Sequence, residues 1–99
     1  MAKTVVVKAY LLGEDEAVTE IHKFPFVYTK EDFFKSADLS RNISSLFFNL
    51  KKTAALNMFY RDEEGDLVGI SSDDELMMGL ACMKDDIFRV YIKVPKEPQ

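Results

Sequence analysis

Apolar and polar residues alternate strictly at the start of the chain. From position 4 to position 12 one face of the pattern is entirely apolar, and its members are Val5, Val7, Ala9 and Leu11. A period of two residues is typical of a β-strand with one buried face. The sequence therefore predicts a first strand over residues 4–12, and the Gly-Glu-Asp-Glu run at positions 13–16 predicts a turn after it.

A second strand is predicted over residues 18–26, but its alternation is irregular. Ile21 and Phe24 both look buried although they lie three positions apart, which places them on opposite faces of a regular strand. A β-bulge at His22 and Lys23 would absorb the extra residue and leave both of these side chains pointing outward. We therefore predict a bulge at this position, and the backbone pairing of the strand tests it.

Two later stretches have helical periodicity. The first carries an apolar stripe at i, i+4, i+7, i+8 and i+11, formed by Leu39, Ile43, Leu46, Phe47 and Leu50. The second begins where Ser72 and Glu75 have the spacing of the N-cap and N3 positions of a capping box. Its predicted core residues are Leu76, Leu80 and Met83, and Met77 and Met78 are interpreted as further core filling, with exposure of one of them as the open alternative.

Three further strands are predicted over residues 56–61, 67–70 and 87–94, with a tight turn at positions 63–65. The order of elements is then β-β-α-β-β-α-β. Two hairpins need a helix to cover their apolar faces, which is the α+β arrangement. We predict a mixed five-stranded sheet with two helices and with the first and last strands adjacent, which is the ubiquitin-like β-grasp.

Composition narrows the classes of function. The chain has 99 residues, of which 47% are hydrophobic and 30% are charged, as expected for one globular domain. Its net charge of −4 argues against a nucleic-acid partner. A single cysteine, the absence of an apolar run of about 20 residues and the absence of a signal-peptide pattern predict a cytoplasmic protein with no membrane partner. We expect an interaction domain over residues 3–94 and the start of a linker at 95–99.

Seven of the seventeen acidic residues lie between positions 62 and 75. They are Asp62, Glu63, Glu64, Asp66, Asp73, Asp74 and Glu75. The last three fall in the first turn of the predicted helix, where the helix dipole stabilises carboxylates in any protein. The other four flank one tight turn, where they repel one another without an evident structural reason. A cationic partner would relieve that repulsion.

Other uses of these residues fit less well. Counted from Asp62, an EF-hand calcium loop would need glycine at its sixth position and glutamate at its twelfth, but Leu67 and Asp73 stand there. Catalysis would need a positioned nucleophile, base or phosphate-binding loop, and the chain offers one histidine and one cysteine. We predict that the protein is not an enzyme, binds no metal or cofactor, and uses Cys82 as a core or half-buried thiol.

Basic residues are predicted to converge on three strands of the sheet. They are Lys8 on the first strand, His22 and Lys23 on the second, and Arg89 and Lys93 on the last. A domain with an acidic edge and a basic face can bind a second copy head to tail. Such a contact does not close on itself and produces rings or filaments.

Two segments resemble a known family. The stretch Tyr-Arg-Asp-Glu-Glu-Gly-Asp-Leu-Val at 60–68, followed by Ser-Ser-Asp-Asp-Glu-Leu at 71–76, resembles the acidic signature of the Phox-and-Bem-one domains. Residues 7–13, around Lys8, and residues 84–93 are similar to the sequestosome-like members of that family, which are selective-autophagy receptors and signalling scaffolds. The resemblance spans nearly the whole chain.

The resemblance implies a binding mode, in which the acidic motif of one domain binds a first-strand lysine of the next. By this resemblance the acidic contacts are Asp62, Glu64, Asp66, Asp74 and Glu75, and the basic contacts are Lys8, His22 and Lys23. The implied partners are a second copy and other domains of the family, such as those of kinases and autophagy receptors. The implied location is the cytoplasm, in cytoplasmic bodies or autophagosomes.

One departure from the family pattern leaves two binding modes open. His22 and Lys23 occupy the place of a paired arginine. Histidine is mostly uncharged at neutral pH, and lysine lacks the bidentate fork of arginine. If the basic face is nevertheless sufficient, the domain polymerises head to tail. If it is not, the domain is an acidic module that forms a one-to-one heterodimer with a basic partner.

Overall fold

The computed structural model describes residues 3–28, 36–46 and 56–93. These residues form five strands and two helices in the order that the sequence predicts. The elements are β1 (Lys3–Leu12), β2 (Val18–Tyr28), α1 (Ser36–Leu46), β3 (Asn57–Arg61), β4 (Leu67–Ile70), α2 (Asp73–Ala81) and β5 (Ile87–Lys93). Two members of the predicted α1 stripe, Phe47 and Leu50, lie outside the described residues. Neither described helix is long and apolar enough to cross a membrane.

The strands form one mixed sheet in the order β2-β1-β5-β3-β4. β1 and β5 are parallel, and the other neighbouring pairs are antiparallel. The predicted β-grasp, with the first and last strands adjacent, is confirmed. This order also places β2 at one edge of the sheet and β4 at the other, so the two hairpins lie on opposite sides of the molecule.

One face of the sheet is buried and the other is open to solvent. The buried face includes the alternating residues of β1 and β5, and Leu39 and Ile43 of α1 are fully buried with them. The strand residues in this core are Val5, Val7, Ala9, Leu11, Phe26, Met58, Tyr60, Ile70, Phe88, Val90 and Ile92. Removing this apolar surface from water is the main stabilising contribution to such a fold. The alternation predicted for β1 is therefore confirmed.

The predicted bulge in β2 is wrong. Pairing with β1 is continuous through the predicted position, where Lys8 pairs with Lys23 and Ala9 pairs with His22. The register shifts only next to Leu12, at the turn end of the hairpin. Because paired residues of neighbouring strands share a face, Lys23 points to the open face with Lys8, and His22 points to the core side with Ala9.

The irregular apolar pattern of β2 has a different cause from the one predicted. Ile21 is not buried; it lies on the open face and is 48% exposed. Phe24 packs against the core as predicted. Since β2 is an edge strand, the rim of its core side still reaches solvent and tolerates polar residues such as Glu20 and His22. Strict alternation is therefore not required there.

α2 lies unusually close to the sheet. A Cβ atom added to Gly79 would lie 2.9 Å from Cδ1 of Tyr60 and 3.1 Å from the ring of Phe88. Glycine inside a helix costs about 1 kcal/mol relative to alanine, so this residue weakens the helix but allows the close approach. The contact fixes α2, and with it the acidic start of the helix, against β3.

The apolar residues of α2 divide between core and surface. Leu76 is fully buried, and Leu80 and Met83 pack against the core, as predicted. Met77 and Met78 are 41% and 61% exposed, so the exposed alternative is correct, for both residues, and the interpretation of these two as core filling is wrong. The helix turns them away because Leu76, Gly79 and Leu80 already form the face that contacts the sheet.

Candidate protein-interaction surfaces

The acidic turn between β3 and β4 is organised by one of its own carboxylates. Oδ1 of Asp62 accepts hydrogen bonds from the backbone N–H of Glu64, at 3.0 Å, and of Asp66, at 2.9 Å. The backbone closes the same turn, since the Gly65 N–H donates to the Asp62 carbonyl, and Gly65 adopts a φ of 84°. Asp62 therefore has a structural role, whereas the sequence suggested none for any of these four carboxylates.

The cation nearest in sequence to this turn, Arg61, binds the backbone of the turn and an aromatic ring. Nη1 of Arg61 donates to the Gly65 carbonyl at 2.7 Å, and the guanidinium carbon lies 5.1 Å from the centre of the Tyr91 ring. The backbone carbonyl and the aromatic ring thus engage the Arg61 charge on the open face of the sheet. Glu63, Glu64 and Asp66 remain exposed to solvent.

The acidic start of α2 is held by a modified capping box. The predicted N-cap is confirmed, because the hydroxyl of Ser72 accepts from the N–H of Glu75 at 3.2 Å. The Glu75 carboxylate returns to Ser71 and not to Ser72, and accepts from both its N–H and its hydroxyl. These bonds hold the pKa of Glu75 below its usual value. Glu75 is thus fixed, while Asp73 and Asp74 are exposed beside it.

The two acidic segments act on the side chain of the same core residue, Tyr60. Burial raises the pKa of Tyr60, and the nearby carboxylates of Asp62 and Glu75 raise it further. Asp62 belongs to the hairpin and Glu75 to the helix, so both segments lie close to Tyr60. We call Asp62, Glu64, Asp66, Asp74 and Glu75, taken together, the acidic surface.

Lys8 and Lys23 lie side by side on the open face of the sheet. They are direct partners in the β1–β2 pairing, and Lys8 is also the partner of Arg89 across β1 and β5. The Lys8 ammonium lies 5.3 Å from the centre of the Tyr10 ring. In the part of the chain that the structure describes, neither lysine forms an ion pair with a carboxylate. We call Lys8 and Lys23 the lysine pair.

The other two predicted cations on this face already have carboxylate partners. Arg89 forms a two-pronged pair with Asp85, with nitrogen–oxygen distances of 3.2 and 3.3 Å. This pairing raises the pKa of Arg89 and lowers that of Asp85. Lys93 binds the carboxylate of Glu16 and lies over the ring of Phe59. Among the five basic residues that the sequence predicted for these strands, the lysine pair is therefore the part of the open face without a carboxylate partner in the described residues.

Comparison with known proteins identifies the family of this chain. The family model of the PB1 domain, the Phox-and-Bem-one domain, matches residues 15–95. The chain belongs to the PB1 family. Members of this family bind proteins, including other PB1 domains. The resemblance seen in the sequence is thereby confirmed at the level of the family.

Solved PB1 structures share the fold. A cryo-EM structure of the AtNBR1-PB1 filament (L-type) has a TM-score of 0.64 and 24% identity, with 94% of this chain and 97% of that chain covered. A structure of the AtNBR1-PB1 domain has a TM-score of 0.67 and 19% identity, covering 93% and 98%. The solution structure of the Cdc24p PB1 domain (long form) has a TM-score of 0.59 and 16% identity, covering 93% and 96%.

His22 is separated from the lysine pair of this PB1 domain. It lies on the core side of β2, and its Nε2 is 2.8 Å from Oε2 of Glu20. Both side chains are about one-third exposed at the edge of the sheet. A partner reaches His22 only around the edge of β2, whereas it reaches Lys8 and Lys23 from the open face. The binding role of each of these residues remains a prediction.

Sequence reasoning missed the carboxylates that neutralise Arg89 and Lys93. Asp85 stands four residues before Arg89, but the two are not on one helix, so the helical i, i+4 rule did not suggest the pair. Glu16 is 77 residues from Lys93 in sequence. The parallel pairing of β1 and β5 brings the end of β5 beside the first turn, and only that topology could have suggested the contact.

A shallow cleft of about 200 Å³ lies between the C-terminal end of α2 and the strands β3 and β5. Tyr60, Asp62 and Arg89 line it together with Cys82, which is a half-buried free thiol. Its lining thus includes both an acidic and a basic side chain. Within the described residues, no three or more His, Cys, Asp or Glu side chains come together in a way that could hold a metal ion.

Proposed function

We propose that this PB1 domain self-associates head to tail, with the acidic surface of one copy bound to the lysine pair of the next. The observation that carries this proposal is the strand order. The lysine pair lies on β1 and on the edge strand β2, while the acidic hairpin includes the opposite edge strand β4. With strands about 4.8 Å apart, roughly 15–20 Å separates the two surfaces. One surface can therefore be occupied while the other stays open.

This placement favours a chain over a closed dimer. The two surfaces differ, so a contact between them is heterologous, and each added copy presents the same open surface as the one before it. The similarity in fold to the AtNBR1-PB1 filament supports this mode. The chain has a net charge of −4, so its negative charge exceeds its positive charge. This excess favours the alternative, in which the acidic surface binds a basic partner as a one-to-one heterodimer.

Several charges must act together in such a contact. An exposed ion pair contributes about 0–1 kcal/mol, whereas micromolar affinity requires about 8 kcal/mol. Within each surface, like charges repel one another when the partner is absent, and this repulsion is relieved on binding. We expect association to weaken steeply with salt, because the Debye length falls to roughly 3 Å at 1 M.

Light scattering as a function of protein concentration tests the proposal. The mass should grow with concentration at low salt and return to that of a monomer at high salt. Lys8→Ala and the double variant Asp62→Ala/Glu64→Ala should each remain monomeric alone, because each lacks one surface. Mixed together, they should form a one-to-one dimer, since each supplies the surface that the other lacks.

A monomer at every concentration would contradict self-association. The acidic surface would then be tested against a PB1 domain with a strong basic face. Binding to that domain, lost in Asp62→Ala/Glu64→Ala and kept in Lys8→Ala, would establish the one-to-one heterodimer.

The cellular role that we propose is scaffolding in the cytoplasm as part of a selective-autophagy receptor. It rests on the sequestosome-like residues 7–13 and 84–93 and on the fold shared with the AtNBR1-PB1 domain. Other PB1 domains, including those of kinases, are the proposed additional partners. Fluorescence imaging of the parent and of Lys8→Ala tests the role, since only the parent should collect in cytoplasmic bodies. Equal distribution of the two would contradict it.

A further inference from the structure

The exposed large hydrophobic residues of the described chain occur in only two places. Four lie on β1 and β2, and two lie on α2. They are Val6, Val18, Ile21, Val27, Met77 and Met78, with exposures between 37% and 61%. Single exposed apolar residues are normal on a protein surface. Here, however, the β1–β2 hairpin also carries the lysine pair, and α2 also carries part of the acidic surface.

On α2 the methionines adjoin the acidic surface directly. Met78 is four residues after Asp74, and Met77 is four residues after Asp73, so each methionine lies one helical turn from an exposed carboxylate on the same side of the helix. The opposite side of the helix contacts the sheet through Leu76 and Gly79. The methionines are therefore presented outward, in line with the acidic start of α2.

On the open face of the sheet an apolar strip adjoins the lysine pair. Val6 pairs with Pro25 across β1 and β2, and the next outward residue of β2 is Val27, which is 57% exposed. This strip begins one outward position from Lys8 and Lys23. On the other side of the lysine pair, the Tyr10 ring is already stacked on Tyr91 at a centroid distance of 4.9 Å. Ile21, which pairs with Tyr10, is also exposed on that side. The longer run of exposed apolar residues is the strip of Val6, Pro25 and Val27.

We propose that Met77 and Met78 of one copy pack against the strip of Val6, Pro25 and Val27 of the next, and so add an apolar contact to the charged one. This inference rests on the proposed head-to-tail association. Charge complementarity favours this contact, because the acidic surface meets the lysine pair in the proposed association and each of the two carries apolar residues at its border. Flexible methionine side chains adapt to a strip of mixed shape.

An apolar contact has a consequence that ion pairs alone do not have. Screening by salt weakens the charged part of the interface, whereas burial of apolar surface is not screened. The methionine contribution is therefore constant across salt concentrations. It also gives a second copy an advantage over a PB1 domain that matches the charges but lacks the apolar strip.

Two one-sided copies make the contact measurable as a simple dimer. The first carries Lys8→Ala/Lys23→Ala and keeps the acidic surface. The second carries Glu64→Gln/Asp66→Asn/Asp74→Asn, which keeps the Asp62 hydrogen bonds of the hairpin, and it retains the lysine pair. Calorimetric titration of one into the other gives the dissociation constant at about 0.05 M and about 0.5 M salt, where the Debye lengths differ roughly threefold.

The test variants change polarity with little change in shape. Met77→Gln/Met78→Gln in the first copy keeps long helix-forming side chains, and Val27→Thr in the second is close to isosteric. Val18→Thr is the matched control, since Val18 is 47% exposed on the same strand but lies at its other end. We expect the methionine variant to bind about tenfold more weakly at both salt concentrations.

The cycle of variants separates this inference from the function on which it rests. Val27→Thr should weaken binding severalfold, Val18→Thr should not, and combining Val27→Thr with the methionine variant should cost less than the product of the two effects. Unchanged binding in the methionine variant, or effects that simply multiply, would overturn the apolar contact while leaving head-to-tail association intact. Failure of the two parent copies to bind would overturn both.

Discussion

Two carboxylates of the acidic surface are held in place by hydrogen bonds inside the domain, whereas the lysine pair is positioned by strand pairing and by the contact of Lys8 with the Tyr10 ring. Asp62 accepts two backbone amides, and Glu75 accepts an amide and a hydroxyl. Lys8 and Lys23 face each other across β1 and β2 without a carboxylate partner among the described residues. The acidic side is therefore preorganised before a partner arrives, which lowers the entropic cost of binding. The ammonium groups of Lys8 and Lys23 repel each other, and an acidic partner would relieve that repulsion.

The largest effect is expected from reversing a charge of the lysine pair. Lys8→Glu places a carboxylate against the acidic surface of the next copy, and like charges across an interface cost several kcal/mol. We expect association to weaken by more than about a hundredfold, as measured by sedimentation equilibrium. Arg41→Glu is the control, because it makes the same change in net charge from an exposed position on α1. Similar losses in both variants would mean that net charge, and not the lysine pair, governs association.

The second prediction separates the two kinds of acidic residue. Glu64→Ala removes an exposed charge and should weaken association about threefold with no loss of stability. Asp62→Ala also removes the acceptor of two backbone amides, so it should weaken association about tenfold and destabilise the fold by about 1 kcal/mol. Asp62→Asn, which keeps an acceptor oxygen, should recover most of the stability but not the charge. Equal behaviour of Asp62→Ala and Glu64→Ala would contradict the preorganisation described above.

The fold was predictable because its signals are local and repeated. The alternation of β1 and β5 and the capping pattern at Ser72 each depend on a few neighbouring residues, and all three appear in the structure. The acidic surface could be proposed for the same reason, since its residues lie close together in sequence. The prediction for β2 is wrong because it assumes that Ile21 is buried. On an edge strand, exposing an apolar side chain such as Ile21 costs too little free energy for the sequence to avoid it.

The neutralisation of Arg89 and Lys93 could not be predicted in this way. Their partners, Asp85 and Glu16, are brought close by a turn and by the β1–β5 pairing. From sequence, all the lysines and arginines of the basic strands look equivalent. The structure distinguishes those with a carboxylate partner from the lysine pair, and the proposed contact uses the lysine pair for that reason.

The third prediction concerns the close approach that fixes the acidic start of α2. Gly79→Ala should destabilise the protein by about 1 kcal/mol, because crowding against Tyr60 and Phe88 outweighs the gain in helix propensity. A lower urea midpoint with an unchanged m value would show this. Gly69→Ala is the control, since no atom lies within 4 Å of the added Cβ and its φ is not positive. A Gly79→Ala protein as stable as the parent would show that α2 can move away from the sheet.

A smaller effect, of opposite sign, is expected at the neutralised arginine. Asp85→Asn removes the charge that pairs with Arg89, next to Lys8 on the open face. The exposed positive charge increases, so we expect association to tighten about twofold to threefold at low salt. The gain should disappear in Asp85→Asn/Arg89→Gln, which removes the released charge. Weaker association in Asp85→Asn would show that Asp85 supports the interface and does not compete with it.

The smallest effect is expected at the one basic residue that the structure separates from the lysine pair. Lys23 is exposed on the open face beside Lys8, whereas His22 lies on the core side of β2, within hydrogen-bonding distance of Glu20. A partner bound to the open face meets Lys23 first, so Lys23→Ala should weaken association about fivefold and His22→Ala less than about twofold. Each substitution is placed in the Glu64→Gln/Asp66→Asn/Asp74→Asn copy and titrated against the Lys8→Ala/Lys23→Ala copy, so that only the basic face of the first can bind the acidic surface of the second. Equal losses would show that the acidic surface of the partner wraps around the edge of β2 and contacts both of its faces.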